Sequence, residues 1–230
     1  MGTEVTLIAN EGVHIATPEA AFYVDAFFGN LFGGRSRGGP GEVVKADLIL
    51  VTHSHWDHFD ARQVAETAGR TGATVVGPQS VIRQLRGQVA ATALHEMEPP
   101  PARGGEPARS VTARFPAATV TAYRTFHSRD HNSYLVETPG FRFFHDGDNE
   151  DTRRIEAAKL GRLDALLIGP WLGGGWVEFI EKLAPTRYFL IHLDDGELRR
   201  HDAGKFLPEL CDHVPPGLVV LKPGETFTFS

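Results

Sequence analysis

The sequence predicts an α+β fold in which helices pack outside β-sheets. Two observations on segment order predict this class: the first half consists mostly of short β-type runs, and in the second half helical and strand segments alternate. The third observation is size. The chain has 230 residues, of which 41% are hydrophobic, so it can bury a sizeable core, and we expect one domain over residues 1–230.

Short apolar or alternating runs predict the strands of the first half, because successive side chains of a strand point to opposite faces. These runs are Glu4–Ala9, Val13–Thr17, Ala21–Val24, Asp47–Thr52 and Thr74–Val76. Ala61–Ala68 and Ser80–Leu85 are predicted helices, and Asp60 is placed to cap the first of them. Gly29–Gly41 contains six glycines and has no periodicity, which indicates a loop.

The same criteria predict the elements of the second half. Strands are expected at Val111–Ala113, Thr119–Thr125, Ser133–Thr138, Phe141–Phe144, Ala165–Ile168, Tyr188–Ile191, Leu218–Leu221 and Thr226–Phe229. Helices are expected at Thr152–Lys159 and Val177–Leu183. The pair Pro139-Gly140 indicates a hairpin turn, and the proline-rich stretch Glu98–Pro107 is a connection.

Composition limits the classes of partner. The formal net charge is −6, the isoelectric point is near 6.0, and no block of like charges occurs, so we expect neither nucleic acid nor a membrane as partner. The single cysteine, Cys211, excludes an intrachain disulfide, and no signal peptide or apolar span is recognisable, which favours the cytoplasm. A small-molecule substrate is expected. An anionic one is compatible because bound metal ions dominate a local field, and a homo-oligomer is compatible too.

One segment carries most of the chemical information. Directly after the predicted strand Asp47–Thr52 comes His53-Ser54-His55-Trp56-Asp57-His58. On extended backbone, His53 and His55 project to the same side, and a turn at Trp56 can direct Asp57 and His58 to a second point. Imidazole nitrogens and carboxylate oxygens are ligands for zinc and neighbouring metals. Four such groups within six residues indicate a metal site.

This segment resembles a known motif. DLILVTHSHWDHFD is similar to the His-x-His-x-Asp-His motif of the metallo-β-lactamase superfamily, and TFHSRDHNSYLVETPGFRFFHDGDN and YFLIH resemble its later blocks. The resemblance extends from about Asn10 to His192 and is greatest to the branch of the ascorbate-phosphate lactonases and related metal-dependent hydrolases. It implies a four-layer αββα sandwich with a dinuclear metal centre.

The resemblance also implies a ligand set. One metal would be held by His53, His55 and His127, the other by Asp57, His58 and His192, and Asp148 would bridge both. Asp25 matches an aspartate that supports the site by hydrogen bonding to a ligand. Two departures stand out: Ala9-Asn10-Glu11 replaces an early Gly-His-Ala of that branch, and Asn149 replaces a threonine after Gly-Asp.

Several assignments remain open in the sequence. His131 is a rival of His127 as third ligand, or else a substrate contact, and Asp146 is a rival of Asp148. Asp194 and Asp195, after His192, are expected at a solvent-facing loop. The arginines Arg35, Arg37 and Arg129 could clamp an anion or be solvated. The aromatic residues that could form a pocket wall are Phe32, Trp56, Phe59, Trp171 and Trp176.

The resemblance implies an enzyme in which a hydroxide that bridges two metals cleaves a small ester, lactone or phosphoester. Asp57 and Asp148 would be the catalytic ligands. Zinc is the first expectation, with manganese and iron as alternatives, since all seven ligands offer nitrogen or oxygen.

Three other functions compete with this one. A phosphodiesterase or ribonuclease of the same superfamily is disfavoured by the acidic balance. Flavin-coupled oxidoreductase relatives usually carry a carboxylate-richer first motif. A non-catalytic metal-binding relative would generally lack ligands that are present here.

Overall fold

The computed structural model describes residues 2–9, 11–25, 39–170 and 174–230. These residues form two seven-stranded sheets and six α-helices. The strands are β1 (Glu4–Leu7), β2 (Val13–Ala16), β3 (Ala21–Val24), β4 (Leu48–Leu50), β5 (Thr74–Gly77), β6 (Leu94–Glu96), β7 (Ser110–Arg114), β8 (Thr119–Arg124), β9 (Asn132–Thr138), β10 (Phe141–His145), β11 (Ala165–Ile168), β12 (Arg187–Leu190), β13 (Leu218–Val220) and β14 (Thr226–Thr228). The helices are α1 (Ala61–Thr71), α2 (Gln79–Leu85), α3 (Ala157–Leu160), α4 (Trp176–Leu183), α5 (Asp195–Asp202) and α6 (Phe206–Leu210).

The two sheets share one pattern of strand direction. In the first, with the order β14-β1-β2-β3-β4-β5-β6, the pairs up to β3 are antiparallel and the pairs from β3 to β6 are parallel. In the second, with the order β13-β12-β11-β10-β9-β8-β7, the pairs from β7 to β10 are antiparallel and those from β10 to β13 are parallel. Carboxyl ends of several strands therefore gather at one edge of each sheet.

Alternation along the strands builds four layers. In β4, Leu48 and Leu50 enter the core between the sheets, whereas Ile49 packs with residues of α1 and α2. In β10, Phe143 enters the same central core, and Phe144 packs under α3 to α6 on the outer face. This is the period of two that a strand imposes, and it confirms the predicted α+β sandwich with helices outside.

Local sequence determines where α1 begins and ends. The Asp60 side chain accepts the backbone N–H of Gln63, which satisfies one of the unpaired donors of the first turn, as predicted. The helix ends at Gly72, whose φ of 74° suits a residue without Cβ. Because His58 and Asp60 are so close in sequence, this start of α1 anchors the histidine-rich segment.

Some elements differ from the sequence prediction. The predicted helix Thr152–Lys159 is a 3₁₀ turn at Thr152–Arg154 followed by the short α3, because Ile155 and Glu156 have extended backbone. Strand β6 and helices α5 and α6 were not predicted, since they are short and carry few apolar residues with clear periodicity. Gly29–Gly41 lies mostly outside the described residues, as do Phe32, Arg35, Arg37 and Trp171.

The two sheets are joined directly by hydrogen bonds. Tyr134 on β9 donates its hydroxyl to the carbonyl of Val51 at 2.8 Å, and the N–H of Asn132 donates to the carbonyl of Thr52 at 2.9 Å. These bonds place the end of β4 against the start of β9. Among the described residues, no helix has the length and apolar character needed to cross a bilayer.

Candidate metal centre

The histidine-rich segment continues directly from β4. Its first residue, His53, is buried and His55 is exposed, and then a turn forms in which the N–H groups of His58 and Phe59 donate to the carbonyl of His55 at 3.1 and 3.0 Å. This turn separates two sets of side chains. His53 and His55 lie before it and point to one place, and Asp57 and His58 lie within it and point to another, as the spacing predicts.

The first group of donors consists of His53, His55, His127 and Asp148. One donor atom from each lies within 4.8 Å of all the others. The Nε2 atom of His127 is 3.3 Å from Nδ1 of His55 and 3.3 Å from Oδ2 of Asp148. The Nε2 atom of His53 is 3.8 Å from the same carboxylate oxygen.

The second group consists of Asp57, His58 and His192, whose donor atoms also lie within 4.8 Å of one another. The Nε2 atom of His192 is 3.5 Å from Oδ2 of Asp57 and 3.7 Å from Oδ1 of Asp148. The Nε2 atom of His58 is 3.2 Å from Oδ2 of Asp148. Asp148 therefore contacts both groups, which is where a bridging ligand must lie.

Strands of the second sheet supply the remaining donors. His127, Asp148 and His192 follow β8, β10 and β12, three strands that run in the same direction. Gly147 has a φ of 58°, and a Cβ there would lie 2.6 Å from Nε2 of His131. Only glycine fits at this point, and its conformation turns Asp148 toward the metal-ligand groups.

Asp25 holds the second group from behind. Its carboxylate accepts the N–H of Thr52 at 2.7 Å, the hydroxyl of Thr52 at 2.6 Å and the Nδ1–H of His58 at 2.9 Å. With Nδ1 as the donor, Nε2 of His58 keeps its lone pair for a metal. This is the supporting role that the sequence resemblance implied for Asp25.

His131 takes part in hydrogen bonds that leave it no free nitrogen. Its Nε2 accepts the N–H of Asp148 at 2.9 Å, and its Nδ1 is 2.7 Å from the hydroxyl of Thr125. The N–H of Asp148 makes Nε2 an acceptor, so Nδ1 carries the hydrogen. This arrangement supports His127 as the ligand and gives His131 the role of positioning Asp148.

The rival carboxylate Asp146 is also occupied. It is buried, and it accepts hydrogen bonds from Ser133 at 3.2 Å and from the amide of Asn149 at 3.0 Å. Burial raises the pKa of Asp146 to about 7. Asn149, which departs from the family pattern, therefore fixes Asp146 and removes no donor from the groups.

Two buried residues in this region were not singled out as site residues from the sequence. Glu11 is 1% exposed, and its carboxylate oxygens lie near His58 and Asp148. His145 is fully buried and groups with Glu11 and Asp25. The sequence signal for Glu11 is its place in Ala9-Asn10-Glu11, where the family pattern is broken.

Charge and burial perturb the titration of these side chains. Burial and the neighbouring imidazoles His58 and His131 lower the pKa of His53 far below its ordinary value. For His192, burial lowers the pKa, but the Asp57 carboxylate outweighs it, and the pKa rises to about 9. Burial would raise the pKa of Asp148, yet the imidazolium of His58 holds it well below its ordinary value.

The donor atoms fit divalent metal ions. Nε2 of His53, Nε2 of His58 and Oδ1 of Asp148 are buried and have no hydrogen-bond partner among the described residues. Buried polar atoms are normally satisfied, and three unsatisfied ones at a single point need an outside partner. The set of five imidazoles and two carboxylates suits zinc, manganese or iron(II).

A cavity of about 270 Å³ adjoins the first group at His127. Phe126, Arg129 and Arg154 line it, and Arg124 fixes its shape by donating to the backbone carbonyl of Arg129 at 3.0 Å. The Arg129 side chain is exposed, and its guanidinium forms no hydrogen bond or ion pair with any described residue.

Not every aromatic residue that was expected to form a pocket wall can do so. Phe59 and Trp176 pack into hydrophobic clusters under the helices, so their role is structural. Trp56 is 64% exposed beside the ligands. Asp194 caps α5 and so has a structural role in addition to its place after His192.

Comparison with known proteins agrees with this geometry. Residues 21–193 match the family model of the beta-lactamase superfamily domain. A UPF0173 metal-dependent hydrolase from Archaeoglobus fulgidus is 29% identical over 211 residues, which cover 82% of this chain and 84% of that protein.

Solved structures are similar over the full length. A possible metal-dependent hydrolase from Veillonella parvula covers 100% of both chains with a TM-score of 0.69 at 15% identity. Igni18, a novel metallo hydrolase from Ignicoccus hospitalis, covers 100% of this chain and 99% of its own with a TM-score of 0.66 at 16% identity. At such identities the similarity concerns the fold alone.

Proposed function

Because this chain belongs to the metallo-β-lactamase superfamily, we propose that it is a metal-dependent hydrolase that cleaves a small ester, lactone or phosphoester. The observation that carries the proposal is the convergence of seven nitrogen and oxygen donors in two groups that share Asp148. The relatives and structural neighbours named above as metal-dependent hydrolases support it.

Two divalent cations fit the two donor groups, with zinc as the first candidate and manganese and iron(II) as competitors. His53, His55 and His127 would hold one cation, and Asp57, His58 and His192 the other, with Asp148 shared. Bound there, the cations would supply Lewis acidity, which lowers the pKa of water toward neutrality and polarises a carbonyl or phosphoryl oxygen.

The residues of the chain position the metal ligands, and they favour water over a side chain as the nucleophile. The Asp25–His58 and His131–Asp148 hydrogen bonds fix two ligands before any substrate arrives, so little reorganisation is required. The one serine in a Gly-x-Ser-x-Gly sequence, Ser36, belongs to the predicted loop Gly29–Gly41 and lies outside the described residues, and Cys211 packs on the outer helices away from the donors. Water is therefore the nucleophile that this site favours.

The cavity beside His127 is the proposed place for the part of the substrate that is not cleaved. Arg129 lines it with a guanidinium that has no partner among the described residues, which favours an anionic substituent such as a carboxylate or phosphate. Arg124 is already engaged with Pro99, Glu98 and the carbonyl of Arg129, so it shapes the cavity and does not bind the anion.

The main experiment is metal analysis combined with a hydrolysis panel of lactones, thioesters, phosphomonoesters, phosphodiesters and RNA. We expect two metals per chain, activity that chelation removes, and turnover of one small-ester class. Asp148→Asn should abolish turnover and lower metal content, whereas Asp146→Asn should retain both. A protein that binds no metal, or that keeps its activity in Asp148→Asn, would contradict the proposal. Cleavage of RNA alone would favour the ribonuclease alternative.

The anion preference has a separate test. Arg129→Ala should raise KM for anionic substrates about tenfold, the loss of roughly one charge-assisted hydrogen bond, and leave neutral substrates unchanged. Arg62→Ala is the matched control. It also removes an exposed arginine, but from helix α1, which packs on the outer face of the first sheet. An equal rise in KM for neutral substrates would show that Arg129 does not discriminate between substrates by their charge.

A further inference from the structure

Glu11 is a buried carboxylate without a hydrogen-bond partner among the described residues. It lies between β1 and β2, where the N–H of Ile8 donates to the carbonyl of Gly12 at 2.7 Å. Its side chain is 1% exposed, and neither Oε1 nor Oε2 has a hydrogen bond with a described residue. An isolated buried charge is costly, so such a residue requires a cationic or hydrogen-bonding counterpart.

The topology places Glu11 at the edge of the sheet that carries the metal ligands. Strands β1 and β3 are both antiparallel to β2 and so run in the same direction. The carboxyl end of β1 therefore lies beside that of β3, where Asp25 is found. One oxygen of Glu11 lies within 4.8 Å of donor atoms of His58 and Asp148, the point where the two groups meet.

The neighbours on the other side of Glu11 offer one hydrogen-bond donor. Nδ1 of His145 accepts the N–H of Gly147 at 3.2 Å, so the hydrogen of that ring is on Nε2. This Nε2 is buried, makes no hydrogen bond of normal geometry with a described residue, and lies next to Glu11, whose backbone also interacts with the His145 ring. The Asp25 carboxylate accepts hydrogen bonds from Thr52 and His58 and has no hydrogen to donate to the Glu11 carboxylate.

We propose that Glu11 supplies a further carboxylate to the cation bound at His58 beside Asp148, and that His145 is the positioning residue that orients it. This inference rests on the proposed metal centre and adds to its ligands. The number of carboxylates at the centre rises from two to three, so more of the charge of two dications is neutralised. Oxygen donors favour manganese and iron(II) relative to zinc. Glu11 thus shifts the relative affinity of this centre from zinc toward manganese and iron(II).

The test compares metal affinities of the full-length protein and Glu11→Gln, which keeps the shape of the side chain. Titration calorimetry with Mn²⁺ and with Zn²⁺ should show Mn²⁺ affinity about 10–100-fold weaker in Glu11→Gln, the range typical for loss of a supporting ligand contact. The Zn²⁺ affinity should change less. In Co²⁺-loaded protein the visible absorption should intensify, because coordination number falls when a ligand is lost.

Asp146→Asn is the matched control, since it also removes a buried carboxylate but one with partners of its own. It should leave the Mn²⁺/Zn²⁺ preference and the Co²⁺ spectrum unchanged. His145→Gln should shift the preference in the same direction as Glu11→Gln, and the double variant should add little to either single change.

The outcomes separate this inference from the proposed function. Wild-type protein that binds two metals, together with Glu11→Gln that has the same Mn²⁺/Zn²⁺ preference and Co²⁺ spectrum, would overturn the role of Glu11 alone. Equal effects of Glu11→Gln and Asp146→Asn would show that the Glu11 carboxylate acts only through its charge at a distance. They would overturn its role as a metal ligand. Metal-free Glu11→Gln should be at least as stable as the metal-free wild type, because an amide is less costly to bury than a carboxylate. A large loss of metal-free stability would instead assign Glu11 to the fold.

Discussion

Asp25 illustrates how one buried carboxylate can organise a site that it does not line. It accepts three hydrogen bonds at once, two from Thr52 and one from His58, and its φ of 46° shows that the backbone itself is held in an uncommon conformation. Strand β4, β3 and the ligand His58 are thereby joined through a single side chain.

Asp25→Asn should weaken metal binding at the second group about 10–100-fold, because an amide nitrogen cannot accept the Nδ1–H of His58. Asp47→Asn is the control, since Asp47 accepts the N–H of Ala21 at 2.8 Å at the opposite end of β4. Calorimetric titration of both variants measures the difference. Equal metal affinities in the two would mean that Asp25 acts only on the fold.

His127 and His131 should respond differently to removal. His127→Ala is expected to lose one metal per chain, whereas His131→Ala should keep both and lower stability by about 1–3 kcal/mol, because it leaves the N–H of Asp148 without an acceptor. Elemental analysis and urea unfolding distinguish them. Full metal content in His127→Ala would transfer the ligand role to His131.

Gly147 is a second residue whose conformation can be tested. Gly147→Ala places a Cβ 2.6 Å from Nε2 of His131 at a φ of 58°, so we expect a stability loss above about 2 kcal/mol and a lower metal content. Gly140→Ala, at a φ of 79° with no atom within 4 Å of the new Cβ, isolates the cost of conformation. Equal losses in the two variants would remove the steric argument.

At the scale of elements, helix α5 is tied to the ligand that precedes it. Asp194 and Glu197 form a reciprocal capping box, with N–H to carboxylate distances of 2.7 and 2.8 Å. Asp194→Ala should therefore cost about 1 kcal/mol, measured by urea unfolding, and weaken metal binding through His192 two residues away. Asp195→Ala, in the same first turn but outside the box, should cost less than half as much.

The sequence predicts elements well where a pattern is long and poorly where it is short. Buried runs such as Ala165–Ile168 and the cap at Asp60 were identified because apolar periodicity and cap chemistry are local properties. Helix α5 has the composition DGELRRHD, with one buried residue, and its capping box is its only strong signal. The break in Thr152–Lys159 depends on how Thr152 bonds to Gly174, which no local pattern reveals.

At the scale of the whole molecule, the family and fold class that the sequence predicted are confirmed. All seven predicted ligands lie in the two groups. They could be predicted because a motif of four ligands in six residues, followed by two later blocks in the expected order, is a specific pattern. Glu11 was not identified as a site residue, because a lone acidic residue forms no recognisable motif. It reaches the site only because β1 and β3 run in the same direction. The assignment of ligands stays a prediction until metal is measured.

The metal-free protein should lose stability as pH rises from about 6.5 to 9. The pKa of His192 is raised to about 9 by the Asp57 carboxylate against the effect of burial, and burial raises that of Glu11 to about 8. The native state then holds protons that the unfolded chain has released, so each raised pKa contributes stability below the unfolded value and loses it through the folded one. The loss is on the order of 2 kcal/mol for each of the two groups.

Urea unfolding of chelated protein at pH 6.5 and pH 9 checks this expectation. Metal-loaded protein should show the reverse trend, because metals bind deprotonated ligands and their stabilisation grows with pH. Chelated protein that becomes more stable toward pH 9 would mean that His192 and Glu11 do not keep their protons in the native state.

The hydrogen bonds from Tyr134 and Asn132 to the end of β4 have a mechanical consequence. They lie next to proposed metal ligands that come from both sheets, so separating the two sheets of a metal-loaded molecule requires breaking these hydrogen bonds and the metal–ligand bonds together. We therefore expect the force needed to pull the two sheets apart to be much lower after the metal has been removed.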